Sequence, residues 1–192
     1  MQFIFLGPPG AGKGTQAGIL ANHWQVPHIS TGDILRTAIA GKTSLGIQAG
    51  THVEAGELVP DVLIMALIRE CFGESDMKQG WILDGFPRTL AQAQALDELL
   101  IIFRQSHPQT IYFEVSTENL VNRMLARGRQ DDTAATIRRR LAVYQADTTP
   151  LIDFYKKREC LITIDGNRPP DAVTQTLQEA LLVNQSSQLA QV

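Results

Sequence analysis

A doubly wound α/β fold on a five-stranded parallel sheet is the architecture this sequence predicts, and three observations predict it. Short apolar runs recur along the chain, longer stretches with helical spacing lie between them, and a glycine-rich turn directly follows the first run. Apolar strands without clear alternation are buried on both faces, and their separation by helices makes the sheet parallel. A length of 192 residues, 44% hydrophobic and 19% charged, suits one domain with a sizeable core.

Gln2 to Leu6 is the first expected strand, followed by glycines and a helix beginning near Lys13. Val26 to Ile29 is the second. From Ser30 to Val59 no buried strand is expected, only short helical patterns broken by Gly32, Gly41, Gly46, Gly50 and Gly56, so residues 30–59 read as an insert before Pro60. Leu63, Leu67 and Ile68 then mark a helix, Trp81 to Leu83 the third strand, and Leu96, Leu99 and Leu100 another helix. Thr110 to Val115 is the fourth strand. A polar link at 126–132 separates it and its helix from a segment carrying Ile137, Leu141 and Tyr144. Leu161 to Ile164 is the fifth strand, and Val173, Leu177 and Leu181 mark the last helix. The core is thus residues 1–29, 60–125 and 133–192, the insert and the link are candidate moving parts, and the polar start of 184–192 predicts fraying.

A formal charge of −3 provides no overall positive field for nucleic acid or an anionic membrane, so any anion must be held by a local cluster. The first apolar run lacks a charged leader, and no span nears the ~20 apolar residues a membrane helix needs. Cys71 and Cys160 are isolated, with no histidine at metal-ligand spacing; a disulfide framework and a zinc site are not expected, and a reducing cytoplasm is. His23, His28, His52 and His107 form no nucleophile or metal pattern and read as structural or surface residues.

Gly7-Pro8-Pro9-Gly10-Ala11-Gly12-Lys13-Gly14-Thr15, between a strand and a helix, has the context and composition of a phosphate-binding loop (P-loop). Backbone N–H groups close around phosphate oxygens, the helix start adds partial positive charge, and Lys13 reaches the terminal phosphates. Gly14 intervenes between the lysine and Thr15, so the hydroxyl lacks the usual position for holding Mg²⁺ directly. Asp84 ends the third apolar run, at the sheet edge where open α/β folds bind ligands. Arg123, Arg127, Arg129, Arg138, Arg139 and Arg140 are six of the 17 basic residues, and such a cluster calls for an anion. Arg123 and Arg127 share a helical face, whereas three consecutive arginines must point in different directions.

The loop Gly7 to Thr15, Ser30-Thr31-Gly32-Asp33-Ile34-Leu35-Arg36, Asp84-Gly85-Phe86-Pro87-Arg88-Thr89 with Gln92, and Gly128-Arg129-Gln130-Asp131-Asp132 followed by Arg140 together resemble the adenylate kinase family, in order and spacing over nearly the whole chain. The resemblance implies reversible transfer of the terminal phosphoryl group of MgATP to AMP, giving two ADP. It makes 30–59 the monophosphate-binding lobe and 126–132 a short lid. Position by position, Gly10, Ala11, Gly12, Lys13, Gly14 and Thr15 would cradle ATP phosphates, Arg123 would lie along the adenine, Arg127 would contact phosphates, and the backbone around Arg168 would touch the adenine edge. Thr31, Arg36, the Glu57-Leu58-Val59 backbone, Gly85, Phe86, Pro87, Arg88 and Gln92 would form the AMP pocket, with Arg129 and Arg140 reaching across to the phosphates. Lys13, Arg88, Arg127, Arg129 and Arg140 would be catalytic, Asp84 would hold Mg²⁺ through water, and Asp131 and Asp132 would orient lid arginines. The longer form of the family inserts a small domain, sometimes zinc-bearing, between the residues matching Arg127 and Arg129. Here only Gly128 separates them, so no zinc is carried over.

UMP/CMP kinase shares the loop and the short lid. Gln92 favours AMP, because one amide can donate to adenine N1 and accept from its 6-amine. A non-catalytic nucleotide-sensing module is the alternative from another class, and a P-loop NTPase switch would leave the acceptor motifs unexplained. The expected enzyme is a cytoplasmic monomer that takes ATP, AMP and ADP.

Overall fold

The computed structural model of the chain describes residues 1–129 and 131–189. Among them, five parallel strands form one sheet in the order β2-β3-β1-β4-β5. The strands are β1 (Gln2–Leu6), β2 (His28–Ser30), β3 (Trp81–Asp84), β4 (Gln109–Glu114) and β5 (Leu161–Asp165). The helices are α1 (Lys13–Trp24), α2 (Thr31–Ala40), α3 (Ser44–Ala55), α4 (Asp61–Gly73), α5 (Leu90–Ile102), α6 (Thr117–Arg127), α7 (Ala134–Val143), α8 (Pro150–Lys157) and α9 (Pro170–Leu189). A π-helical turn, Tyr144–Thr148, joins α7 to α8. None of these helices is long and apolar enough to cross a membrane.

The second strand starts later than its apolar run because Pro27 has no N–H to give the ladder; its carbonyl instead accepts from Ile82 N at 2.9 Å. Alternate residues of β1 serve opposite faces. Phe3 and Phe5 pack with Ile82, Ile111, Phe113 and Leu20 on one side. Ile4 and Leu6 pack with Trp81, Leu83, Ile68 and Leu96 on the other. Each fully buried side chain of this kind contributes about 1.5–3 kcal/mol, so the carboxyl ends of β1 and β3 are firmly anchored.

The insert holds two helices, α2 and α3. Gly41 and Gly56 end them as expected, but Gly32, Gly46 and Gly50 lie inside. Packing explains Gly46: a Cβ there would sit 2.0 Å from the Ala38 carbonyl oxygen, so its absence lets α3 cross directly against α2. The polar segment 184–192 continues as helical backbone to Leu189, and its last three residues lie outside the described residues.

Candidate active site

Chain connections run to one side of β1 for β2 and β3 and to the other for β4 and β5, which opens a crevice at the carboxyl end of β1. A cavity of about 960 Å³ occupies it. Its walls are the residues following β1, β2, β3 and β5, the loop between α3 and α4, and the arginines of α6, the link and α7.

The turn after β1 needs glycine at position 10, where φ is +84° and a Cβ would lie 2.9 Å from the Leu120 carbonyl oxygen. No side chain caps α1, so its first N–H groups are available to an anion. The Lys13 ammonium donates to the Gly7 and Pro8 carbonyls at 2.8 and 3.0 Å. Burial lowers its pKa to about 8; Asp84 partly offsets this, while Arg88 and Arg127 add to it. Asp84 closes β3 beside this loop, with one carboxylate oxygen 3.3 Å from the position of a Cβ on Gly14.

Of the expected site residues, Gly10 to Thr15, Thr31, Arg36, Glu57, Leu58, Val59, Asp84, Gly85, Arg88, Gln92, Arg123, Arg127, Arg129, Arg140 and Arg168 all line this one cavity. Phe86 and Pro87 do not. The Phe86 ring is 1% exposed within the apolar cluster under the sheet edge, because an apolar ring gains more there than against charged walls. Gln130 lies outside the described residues.

The arginines are arranged around carboxylates. Arg127 grips Asp132 with two bonds of 2.9 Å, and Arg140 reaches the same carboxylate at 3.1 Å while also pairing with Asp131. Arg129 lies 3.4 Å from Asp33, which also pairs with Arg36. Burial raises the Asp33 pKa, but hydrogen bonds from Arg36 and Ser30 and the charges of Arg36 and Arg129 outweigh it and leave the carboxyl below its ordinary value. The Asp131 carboxyl is lowered likewise: burial raises it, but the hydrogen bond and charge of Arg140 outweigh that. Arg88 donates to the Gly85 carbonyl at 2.7 Å. Enclosure lowers its pKa, with Asp84 opposing and Arg140 and Arg36 adding to the effect. Arg129 is lowered by burial, Arg36 and Arg127. Mutual repulsion of this kind is relieved by an anion. Of the consecutive trio, Arg140 turns inward, Arg138 is exposed, and Arg139 is also exposed but pairs with Glu57 across the cleft at 2.6 Å.

Several wall residues carried no signal in the sequence. Gln16, 3% exposed, donates to the Pro170 carbonyl at 2.9 Å and accepts from Thr174 at 2.8 Å, tying the loop helix α1 to α9. Asn167 is held by Asp165 and accepts from Ser116 N at 2.9 Å, and its carbonyl accepts from Arg123 at 3.3 Å. Leu35, Val53 and Ile64 supply apolar wall on the insert side. Asp33 lies within the Ser30-to-Arg36 motif, and its place between Arg36 and Arg129 comes from tertiary contacts.

Comparison with known proteins agrees with this geometry. The family model described as adenylate kinase matches residues 5–160. The chain is 52% identical over 180 residues to adenylate kinase 1 of Nostoc sp., covering 94% of this chain and 98% of that protein. It is 52% identical over 176 residues to adenylate kinase 1 of Synechocystis sp., covering 92% and 94%, and 45% identical over 184 residues to an adenylate kinase of Leptospira biflexa, covering 94% and 99%. A five-stranded parallel sheet with a phosphate-type loop after its first strand, an arginine-ringed cavity at the sheet edge, and identity sustained over the chain's length place it in the adenylate kinase family of phosphotransferases.

Proposed function

We propose that this chain transfers the terminal phosphoryl group of MgATP reversibly to AMP, giving two ADP, and thereby balances adenine nucleotides as a zinc-independent cytoplasmic monomer. The observation carrying this reading is one cavity of about 960 Å³ with an anion-seeking loop at one end, an apolar and amide-bearing pocket at the other, and arginines between. That is near the upper end of the ~300–1,000 Å³ usual for ligand sites, as two substrates require.

On this reading Gly10 to Thr15 hold the donor phosphates, Arg123 and the Asn167-Arg168 backbone flank the donor base, and Thr31, Arg36, Glu57 to Val59, Gly85, Arg88 and Gln92 hold AMP. Residues 30–59 and 126–132 then act as the acceptor lobe and the short lid. The AMP phosphate is already an oxyanion, so transfer needs no general base. Its oxygen bonds to the γ-phosphorus as the bond from that phosphorus to the β,γ-bridging oxygen breaks, and ADP leaves. Lys13, Arg88, Arg127, Arg129 and Arg140 neutralise charge on the equatorial and bridging oxygens and hold the two nucleotides in line. The Mg²⁺ that accompanies ATP supplies further neutralisation of the β- and γ-oxygens, and Asp84, a carboxylate beside Lys13 and Gly14, is suited to hold its water shell. Asp131 and Asp132 orient Arg127 and Arg140 toward the cavity, and Asp33 holds Arg36 and Arg129 in the same way.

The test is ADP formation from MgATP with AMP, UMP, CMP or GMP as acceptor. AMP is expected to dominate. Preference for UMP or CMP overturns the substrate assignment, and absence of transfer to every acceptor overturns the reading.

A further inference from the structure

We infer that Asp61, which does not line the cavity, is the positioning residue that fixes the Gln92 amide in the orientation that accepts a 6-aminopurine and rejects a 6-oxopurine. This rests on the proposed AMP pocket and deepens it.

Gln92 is 3% exposed, yet it lines the cavity. Both ends of its amide are engaged from behind. Its carbonyl oxygen accepts from the Arg88 main-chain N–H at 2.7 Å, and its nitrogen donates to Asp61 Oδ1 at 2.7 Å. The two partners are chemically one-sided: a main-chain N–H only donates and a carboxylate only accepts. Turning the amide over would set nitrogen against N–H and oxygen against carboxylate, so the orientation is decided by the neighbours. Those neighbours are themselves held. The Arg88 carbonyl accepts from Thr148 Oγ1 at 2.8 Å, in the π-helical turn, and the Gln92 N–H is capped by Thr89 at 3.2 Å. Asp61 begins α4, separated from the Glu57-Leu58-Val59 segment only by Pro60, so the acceptor lobe's exit and the base-reading side chain are joined by one hydrogen bond.

A glutamine amide has two N–H groups and two lone pairs. One of each is spent, leaving one donor and one acceptor in a fixed order. Adenine offers an acceptor at N1 and a donor at its 6-amine; a 6-oxopurine offers the reverse. A locked amide pairs with the first and leaves buried groups unpaired against the second, the situation in which discrimination is steepest. Without Asp61 the amide is held at one end only.

The experiment compares kcat/KM for AMP with that for IMP, which differs from AMP only at this edge, in wild type, Asp61→Ala, Gln92→Met and the double variant. Because a hydrogen bond to a charged group is worth about tenfold or more, the AMP-to-IMP ratio should fall about tenfold or more in Asp61→Ala, with KM for MgATP unchanged. In the Gln92→Met background Asp61→Ala should not change the ratio further, since its effect passes through the amide. Asp61→Leu, which fills the space but offers no acceptor, should repeat the fall and keeps the test available if Asp61→Ala folds poorly. An unchanged ratio in Asp61→Ala or Asp61→Leu, an equal further fall in the Gln92→Met background, or a parallel rise in KM for AMP and MgATP overturns the inference while leaving AMP as substrate. A wild type indifferent between AMP and IMP overturns the reading of the pocket and the inference together.

Discussion

At the scale of single residues, the site is a balance of like charges awaiting an anion. Lys13, with a pKa lowered to about 8 chiefly by burial, is partly neutral in the nucleotide-free protein at mildly alkaline pH. Phosphate beside it restores the charged form. Calorimetry at pH 8 in buffers of different ionisation enthalpy should therefore reveal proton uptake on ATP binding, and Lys13→Met should remove most of it; equal heats in all buffers would contradict this. The sign for stability follows from the same shift. Between about pH 8 and the ordinary lysine value of 10.5 the unfolded chain binds more protons at this position. The cost of burying charged Lys13 is thus present below pH 8 and relieved as pH rises through that window. On the proposed reading the arginines carry the transition-state charge. Arg88→Ala and Arg129→Ala should each lower kcat by about 10³ or more, the scale of arginine contributions in related phosphoryl transfer, and steady-state turnover near wild type in both would remove them from the chemistry.

Among the elements, helix α3 shows how a residue that weakens a helix can be needed by the fold. Glycine in a helix interior costs about 1 kcal/mol relative to alanine. At position 46 alanine would nevertheless push its Cβ to 2.0 Å from the Ala38 oxygen and 2.3 Å from its carbon, so α2 and α3 would have to separate. Gly46→Ala should destabilise the protein by about 1–3 kcal/mol, the range for overpacking, and raise KM for AMP more than KM for MgATP, because the displaced helices carry Arg36 and lead into Glu57. Thermal unfolding and initial rates measure both; a variant as stable as wild type would show that the two helices can part freely. The link from α6 to α7 is organised differently. It buries little apolar surface, and the fully buried Asp132 side chain, shared by Arg127 and Arg140, holds its two ends together.

For the whole molecule, the insert already meets the link across the cleft through Asp33 with Arg129, and meets helix α7 through Glu57 with Arg139. These are largely exposed pairs, each worth about 0–1 kcal/mol, so they hold the two sides of the cleft together only weakly. On the proposed reading, closure of these segments excludes water that would compete with AMP for the γ-phosphoryl group. Phosphate release from MgATP alone should therefore run orders of magnitude slower than ADP formation with AMP present; comparable rates would mean that the cleft stays wet during transfer.

The five-stranded doubly wound sheet, the turn from Leu6 through Gly12 into α1, and the aspartate at the end of β3 were all readable in the linear chain. Each is written in contiguous residues: apolar runs mark strands, and a strand, a glycine turn and a helix form their site locally. The motifs at Thr31, Arg88 and Arg140 were legible for the same reason. That Phe86 goes to the core, that Gly46 joins helices rather than breaking one, and that Gln16 meets Pro170 and Thr174 came from folding alone. It alone brought Asp61 to Gln92 and Asp33 to Arg129. Such pairs join residues far apart in the chain, and a polar side chain carries no periodicity that names its partner; the close packing of the folded chain chooses it.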